Sequence, residues 1–144
     1  ESLGDEDALG RLLMAYKARG LSAAELLRAR NLLSEGAGIA LAAEGEMTWD
    51  GRLQHPLAPG TAWLALRSAV PVVPVISTGG YDIQPRWQAQ KIRLTGRIAI
   101  RVGEPMQVCA APIKRLKMDE LNQASDKIWS AMSRLQQMDG SPIV

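Results

Sequence analysis

Residues 38–76 read GIALAAEGEMTWDGRLQHPLAPGTAWLALRSAVPVVPVI, and the fold turns on how this stretch is parsed. Residues 38–43 are a short, nearly all-apolar run between glycine punctuation and the charged Glu44-Gly45-Glu46. A run this short and this continuous predicts a strand covered on both faces, hence a parallel sheet. Asp50-Gly51 is a turn signal, because both residues accommodate positive φ, and the turn would project Arg52 beyond it. Pro56, Pro59 and Gly60 are expected to keep the next residues irregular. Residues 61–68 (TAWLALRS) are apolar nearly all round, which predicts a buried helix. Residues 70–76 are β-branched and read as a second strand, although Pro71 and Pro74 cannot donate to a ladder. An edge position, a bulge or partial pairing would reconcile those prolines with a strand. Two parallel strands would bring Glu44-Gly45 and residues 77–81 to one rim, where α/β proteins keep their chemistry.

Working outward, Ser22-Ala-Ala-Glu25 is a capping box, in which hydroxyl and carboxylate satisfy each other's backbone amides. Ala23, Leu26, Ala29 and Leu33 follow on one helix face, and Gly36 supplies a left-handed stop. Further upstream, Leu9, Leu12, Leu13 and Tyr16 repeat at i, i+3, i+4 and i+7. The acidic residues Asp5, Glu6 and Asp7 suit the positive end of that helix's dipole. Arg11, Lys17 and Arg19 would allow it to lie on a membrane surface; covering a sheet is the reading taken. Downstream, residues 81–91 are polar and read as a loop. Residues 92–102 alternate, with Ile98, Ile100 and Val102 assigned inward and Arg97, Ala99 and Arg101 outward, as in a strand near an edge. The clearest helical stripe is Leu121, Ala124, Ile128, Ala131, Met132 and Leu135.

The composition narrows the function classes. The 144 residues suit a single domain spanning 1–144. Lys and Arg number 17 against 15 Asp and Glu, a net charge of +2 that gives no electrostatic footprint for nucleic acid. Cys109 is the one cysteine, so no internal disulfide framework is possible, and nothing charged beside it would make it a nucleophile. No apolar run approaches the roughly 20 residues of a membrane-spanning helix. No cluster has metal-ligand spacing.

Several of these pieces together resemble the glycerolipid acyltransferase family, whose best-known members are the lysophosphatidic acid acyltransferases. They are Glu44-Gly45, Asp50-Gly51-Arg52-Leu53, a Pro-Gly leading into TAWLALRSA, the VPVVPV block, and residues 98–106, IAIRVGEPM. The resemblance runs from about Ser22 to Leu135. It implies an α/β fold with a mostly parallel central sheet flanked by helices, and peripheral attachment at the cytoplasmic face of a membrane or a cytoplasmic location. It implies transfer of a fatty acyl group from acyl-CoA or acyl-carrier protein, as co-substrate, to a lysophospholipid or glycerolipid-like hydroxyl, with no bound cofactor. The substrate-binding residues carried over are Glu44 and Gly45, with Arg52 as a stand-in for the family's phosphate-reading arginine.

That stand-in is needed because the sequence departs from the family pattern. Ala42-Ala43 replace Phe-Pro, Glu46 replaces Thr, and Met47 stands where the arginine would be. Methionine cannot make the charge-assisted fork that a phosphate requires. The family's upstream His-x-x-x-x-Asp pair, base and orienter, is missing too. His55 is the one histidine, Gly60 follows it five residues on, and it reads as a solvated loop residue. Two explanations stand: an N-terminally incomplete domain, favoured by the absence of an initiator Met, or a degenerate, non-catalytic lipid- or partner-binding relative. Either way, this chain alone is expected to be inactive.

Overall fold

A computed structural model describes residues 22–46, 48–85, 92 and 95–138. Helix α1 covers Ala23–Ser34, α2 Pro59–Ser68, α3 Gly80–Ile83 and α4 Met118–Gln137; strand β1 covers Val75–Thr78 and β2 Ala99–Val102. The readings that fall on residues 1–21, on Met47, on residues 86–91 and on residues 140–142 lie outside the described residues.

The helices follow from the sequence. Ser22 caps α1: its Oγ accepts from the Glu25 amide at 3.3 Å, and its own amide donates to Glu25 Oε2 at 2.7 Å. At the other end the Gly36 amide donates to the Leu33 carbonyl and the Ala37 amide to that of Leu32, the Schellman closure. Helix α2 starts two residues earlier than expected, at Pro59. The reason is local: a proline at the first helical position lacks only an amide that would have no intrahelical partner, and its fixed φ already suits the helix. As its composition predicts, Ala62 through Leu66 are all buried. Helix α4 buries Leu121, Ala124, Ile128, Ala131 and Met132 along the predicted stripe, with Leu135 half-buried beside them. The packing order is α1 on α2, α2 on α4, and α4 on β1. Trp63, Leu64, Leu57 and Leu26 join Ile128 in the core.

The expected mostly parallel central sheet is not there: the described residues hold a single two-stranded antiparallel sheet. Val75 pairs with Val102, Ile76 with Arg101, Ser77 with Ile100 and Thr78 with Ala99. β1 begins at Val75; Pro74 before it has no amide to donate, but its carbonyl accepts from the Gly103 amide at 2.8 Å. Upstream, Val72 and Met106 form an isolated bridge in a register one residue out of step. Residues 38–43 form no strand. Instead they alternate in burial, with Ile39 and Leu41 half-buried against the core, Ala43 buried, and Ala40 and Ala42 exposed. The phase of the second alternation is also reversed. Ile98, Ile100 and Val102 are 56%, 64% and 66% exposed, whereas Ala99 and Arg101 are half-buried. Cross-strand neighbours share a face. Ile76 is buried beside α4, which assigns Arg101 to the covered side and Val75, Ile100 and Val102 to the open one.

Candidate functional site

Residues 48–54 form a polar loop whose shape is set by hydrogen bonds from its own side chains. Asp50 Oδ1 accepts from the Arg52 amide at 3.0 Å and from Gln54 Nε2 at 3.1 Å. Thr48 Oγ1 donates to the Arg52 carbonyl at 2.8 Å. Gly45 and Gly51 have φ of 73° and 77°, which a side-chain-bearing residue rarely adopts. At Gly51 a Cβ would also lie 3.1 Å from the Tyr81 ring, a tight contact that the ring would have to yield to. The predicted Asp-Gly turn is therefore real. It meets the segment after β1 at Tyr81, although no rim of parallel strands brings the two together among the described residues.

Glu44 sits half-buried at the base of the loop and accepts from the Gln54 amide through Oε1 at 2.7 Å. Burial is the main influence on its carboxyl and pushes its pKa above the ordinary glutamate value; the Gln54 amide opposes this, and the Asp50 charge adds to it. Glu44 Oε2 has no hydrogen-bond partner among the described residues. The Arg52 main chain is fully engaged by Asp50 and Thr48, while its guanidinium is exposed. The phenol of Tyr81 is held above its usual pKa by burial first and then by Asp50 and Asp82. Glu44 is thus tied to the 48–54 loop through the Gln54 amide, with Gly45 next to it in the chain, and Arg52 stands at the loop's exposed edge.

Long-range anchors come from α4, and their pairing cannot be read from the sequence. Gln136 accepts from the Leu53 amide through Oε1 at 3.2 Å and donates through Nε2 to the Gly51 carbonyl at 3.3 Å. His55 is an exposed loop residue, as its sequence context suggests, but it has partners on α4. Its Nε2 lies 3.0 Å from Asp126 Oδ1, and its ring meets Trp129 edge-on at a centroid distance of 5.0 Å. Residues 51–57 therefore run back along α4, from Gln136 towards Leu121, above a cleft of about 290 Å³ whose lining includes Leu57, Leu121 and Asn122. The Ser125 hydroxyl is buried at the edge of this cleft without a protein partner. The signal that could have flagged Asp126 is its place on the polar face of an otherwise apolar helical stripe; its pairing with His55, 71 residues away, is not readable.

Chemically, the loop presents carboxylate oxygens, which accept from hydroxyls, and one exposed guanidinium that can take an anion. Glu44, Asp50 and Asp82 make its surroundings negative, so a ligand rich in hydroxyls fits better than a bare phosphate. Among the described residues no group of three His, Cys, Asp or Glu could hold a metal ion, and no helix is long and apolar enough to cross a membrane. Compared with known proteins, the chain matches no family model, no curated protein and no solved structure.

Proposed function

We propose that this chain carries the acceptor-binding part of an acyltransferase. The reaction is transfer of a fatty acyl group from an acyl-CoA or acyl-carrier-protein thioester to the hydroxyl of a lysophospholipid or glycerolipid-like acceptor. One observation supports this reading more than any other: the scattered sequence pieces that resemble the glycerolipid acyltransferases are neighbours in space. Gly51 and Leu53 are pinned to α4, Pro59-Gly60 opens the buried α2, VPVVPV leads into β1, and IAIRVGEPM supplies β2 and the Met106 bridge to Val72. The reading rests on that assembly and not on a parallel-sheet fold.

Glu44 would hold the loop through Gln54 and offer Oε2 to an acceptor hydroxyl, and Arg52 would meet the acceptor's anionic group. Acceptors of this kind reside in bilayers, so contact with a membrane surface belongs to the same proposal. General-base catalysis needs a group within reach of the acceptor hydroxyl. His55, the one histidine, has its Nε2 on Asp126 of α4, and its contacts are with α4 residues and not with Glu44 or Arg52. The chain by itself is therefore expected to bind acceptor without turning over.

Two measurements test this. Release of free thiol from an acyl-CoA in the presence of lysophospholipids should stay at the uncatalysed rate, while the same acceptors bind, and Glu44→Ala weakens that binding. Turnover by the chain alone would overturn the division of labour. Failure of every lysophospholipid-like acceptor to bind would overturn the class and favour a partner-binding relative.

A further inference from the structure

A second cleft, of about 430 Å³, lies away from the loop, between α1, the C-terminal end of α2 and residues 112–114. Three cations line it, Arg30, Arg67 and Lys114, and no carboxylate does. Such a volume falls within the range of small-molecule sites. Arg67 is fixed in place: its Nη1 donates to the carbonyls of Ile113 and Lys114, at 3.1 and 2.5 Å, and its guanidinium lies 5.8 Å from the Trp63 ring centroid. Arg30 makes one long contact, 3.4 Å from Nη2 to Asn31 Oδ1, and the Lys114 ammonium has no partner among the described residues. The Ser68 hydroxyl, buried at the cleft wall, has none either.

Cations near helix C-termini can merely answer the dipole, so the charges must be weighed. Each helix end carries about half a negative charge, and its influence fades within the last turn. Arg67 is in the last turn of α2 and is accounted for in this way. The last turn of α1 holds no basic residue, so Arg30 is not. With Arg67 set against the end of α2, Arg30 and Lys114 bring two full positive charges against the half charge of α1, which leaves the cleft positive, with an unpaired hydroxyl donor in its wall.

We propose that this cleft is a binding site for a phosphate-bearing ligand, with Arg30 and Lys114 as its charged grips, Ser68 as a donor and Arg67 as a rigid floor. The apolar remainder of the lining, including Leu33 and Val70, suits a ligand that continues into an apolar body. The proposal is independent of acyl transfer and is read by binding alone.

The test is calorimetric titration of the full chain with two probes, inorganic pyrophosphate and dihexanoyl phosphatidate, the first representing a free phosphate and the second a lipid headgroup. Binding of either should weaken about tenfold in Lys114→Gln and in Arg30→Gln, the loss expected for one charge-assisted hydrogen bond. The matched changes Arg28→Gln and Arg115→Gln, at exposed positions outside the lining, should leave it unchanged. Lys114 is exposed in a loop, so its variant decides the matter even if Arg30→Gln unfolds α1. A response to phosphatidate alone that Lys114→Gln weakens supports the site and assigns it to a headgroup, whereas one that Lys114→Gln leaves unchanged overturns it. Silence with both probes at millimolar concentration, or equal weakening by the outlying changes, overturns it.

Discussion

Glu44 shows what a single side chain contributes here. Its carboxyl is drawn into the protein by the Gln54 amide, and burial then disfavours its charge. The folded-state pKa lies above the unfolded value of about 4.3. The folded protein therefore keeps a proton that the unfolded chain gives up. The stabilisation is complete below the unfolded value and is lost as the pH rises through the folded one. Glu44→Gln retains an acceptor oxygen for the Gln54 amide and does not titrate. Measured by urea unfolding, the variant should gain on the natural chain as the pH is raised from about 4 to about 7, the range that brackets an upward-shifted glutamate. Asp50 and Glu25, whose pKa values are lowered by hydrogen bonds, act in the opposite direction but are present in both proteins, so the difference isolates Glu44. A difference independent of pH would remove the buried carboxyl from the loop.

At the scale of elements, the sequence spoke clearly about helices and poorly about strands. Ser22 and Glu25 declare a helix start by chemistry confined to four residues, and the stripe on α4 repeats often enough to fix both its period and its phase. A strand needs a partner, and apolar composition does not name one. Residues 38–43 have the composition of a doubly covered strand, yet half of them face away from the core. Residues 98–102 show the same limit, because alternation says which residues share a face and not which face is covered. The contrast can be measured. Ile128, 1% exposed in the middle of α4, should cost about 2–5 kcal/mol when changed to Ala. Ile100, 64% exposed on the open face of β2, should cost no more than about 0.5 kcal/mol when changed to Thr. A large loss at Ile100 would mean that the face is covered after all and that the original inward assignment was correct.

Across the whole molecule, the candidate site depends on one helix holding a loop that is distant in sequence. Glu44, Gly45 and Arg52 were readable as a motif, but their ordering comes from Gln136, whose amide takes both the Leu53 amide and the Gly51 carbonyl, 83 and 85 residues away. No local pattern could have revealed this, since a glutamine near the end of a helix is unremarkable until the packing of α4 brings it to the turn. The arrangement makes the loop's order conditional on the docking of α4. Gln136→Ala removes both bonds while leaving the apolar stripe intact. Its cost in global stability should be modest, about 1–2 kcal/mol for two partly exposed hydrogen bonds. Its local effect should be larger. With its acceptor gone, the Leu53 amide should exchange with solvent much faster than in the natural chain, while the amides of Ile128 and its neighbours in α4 change only by the global loss. Equal acceleration at both places would mean that the loop and α4 open as one unit and that Gln136 is not what orders the site. Selective acceleration at Leu53, together with weaker acceptor binding, would tie the geometry of the motif to the helix that frames it.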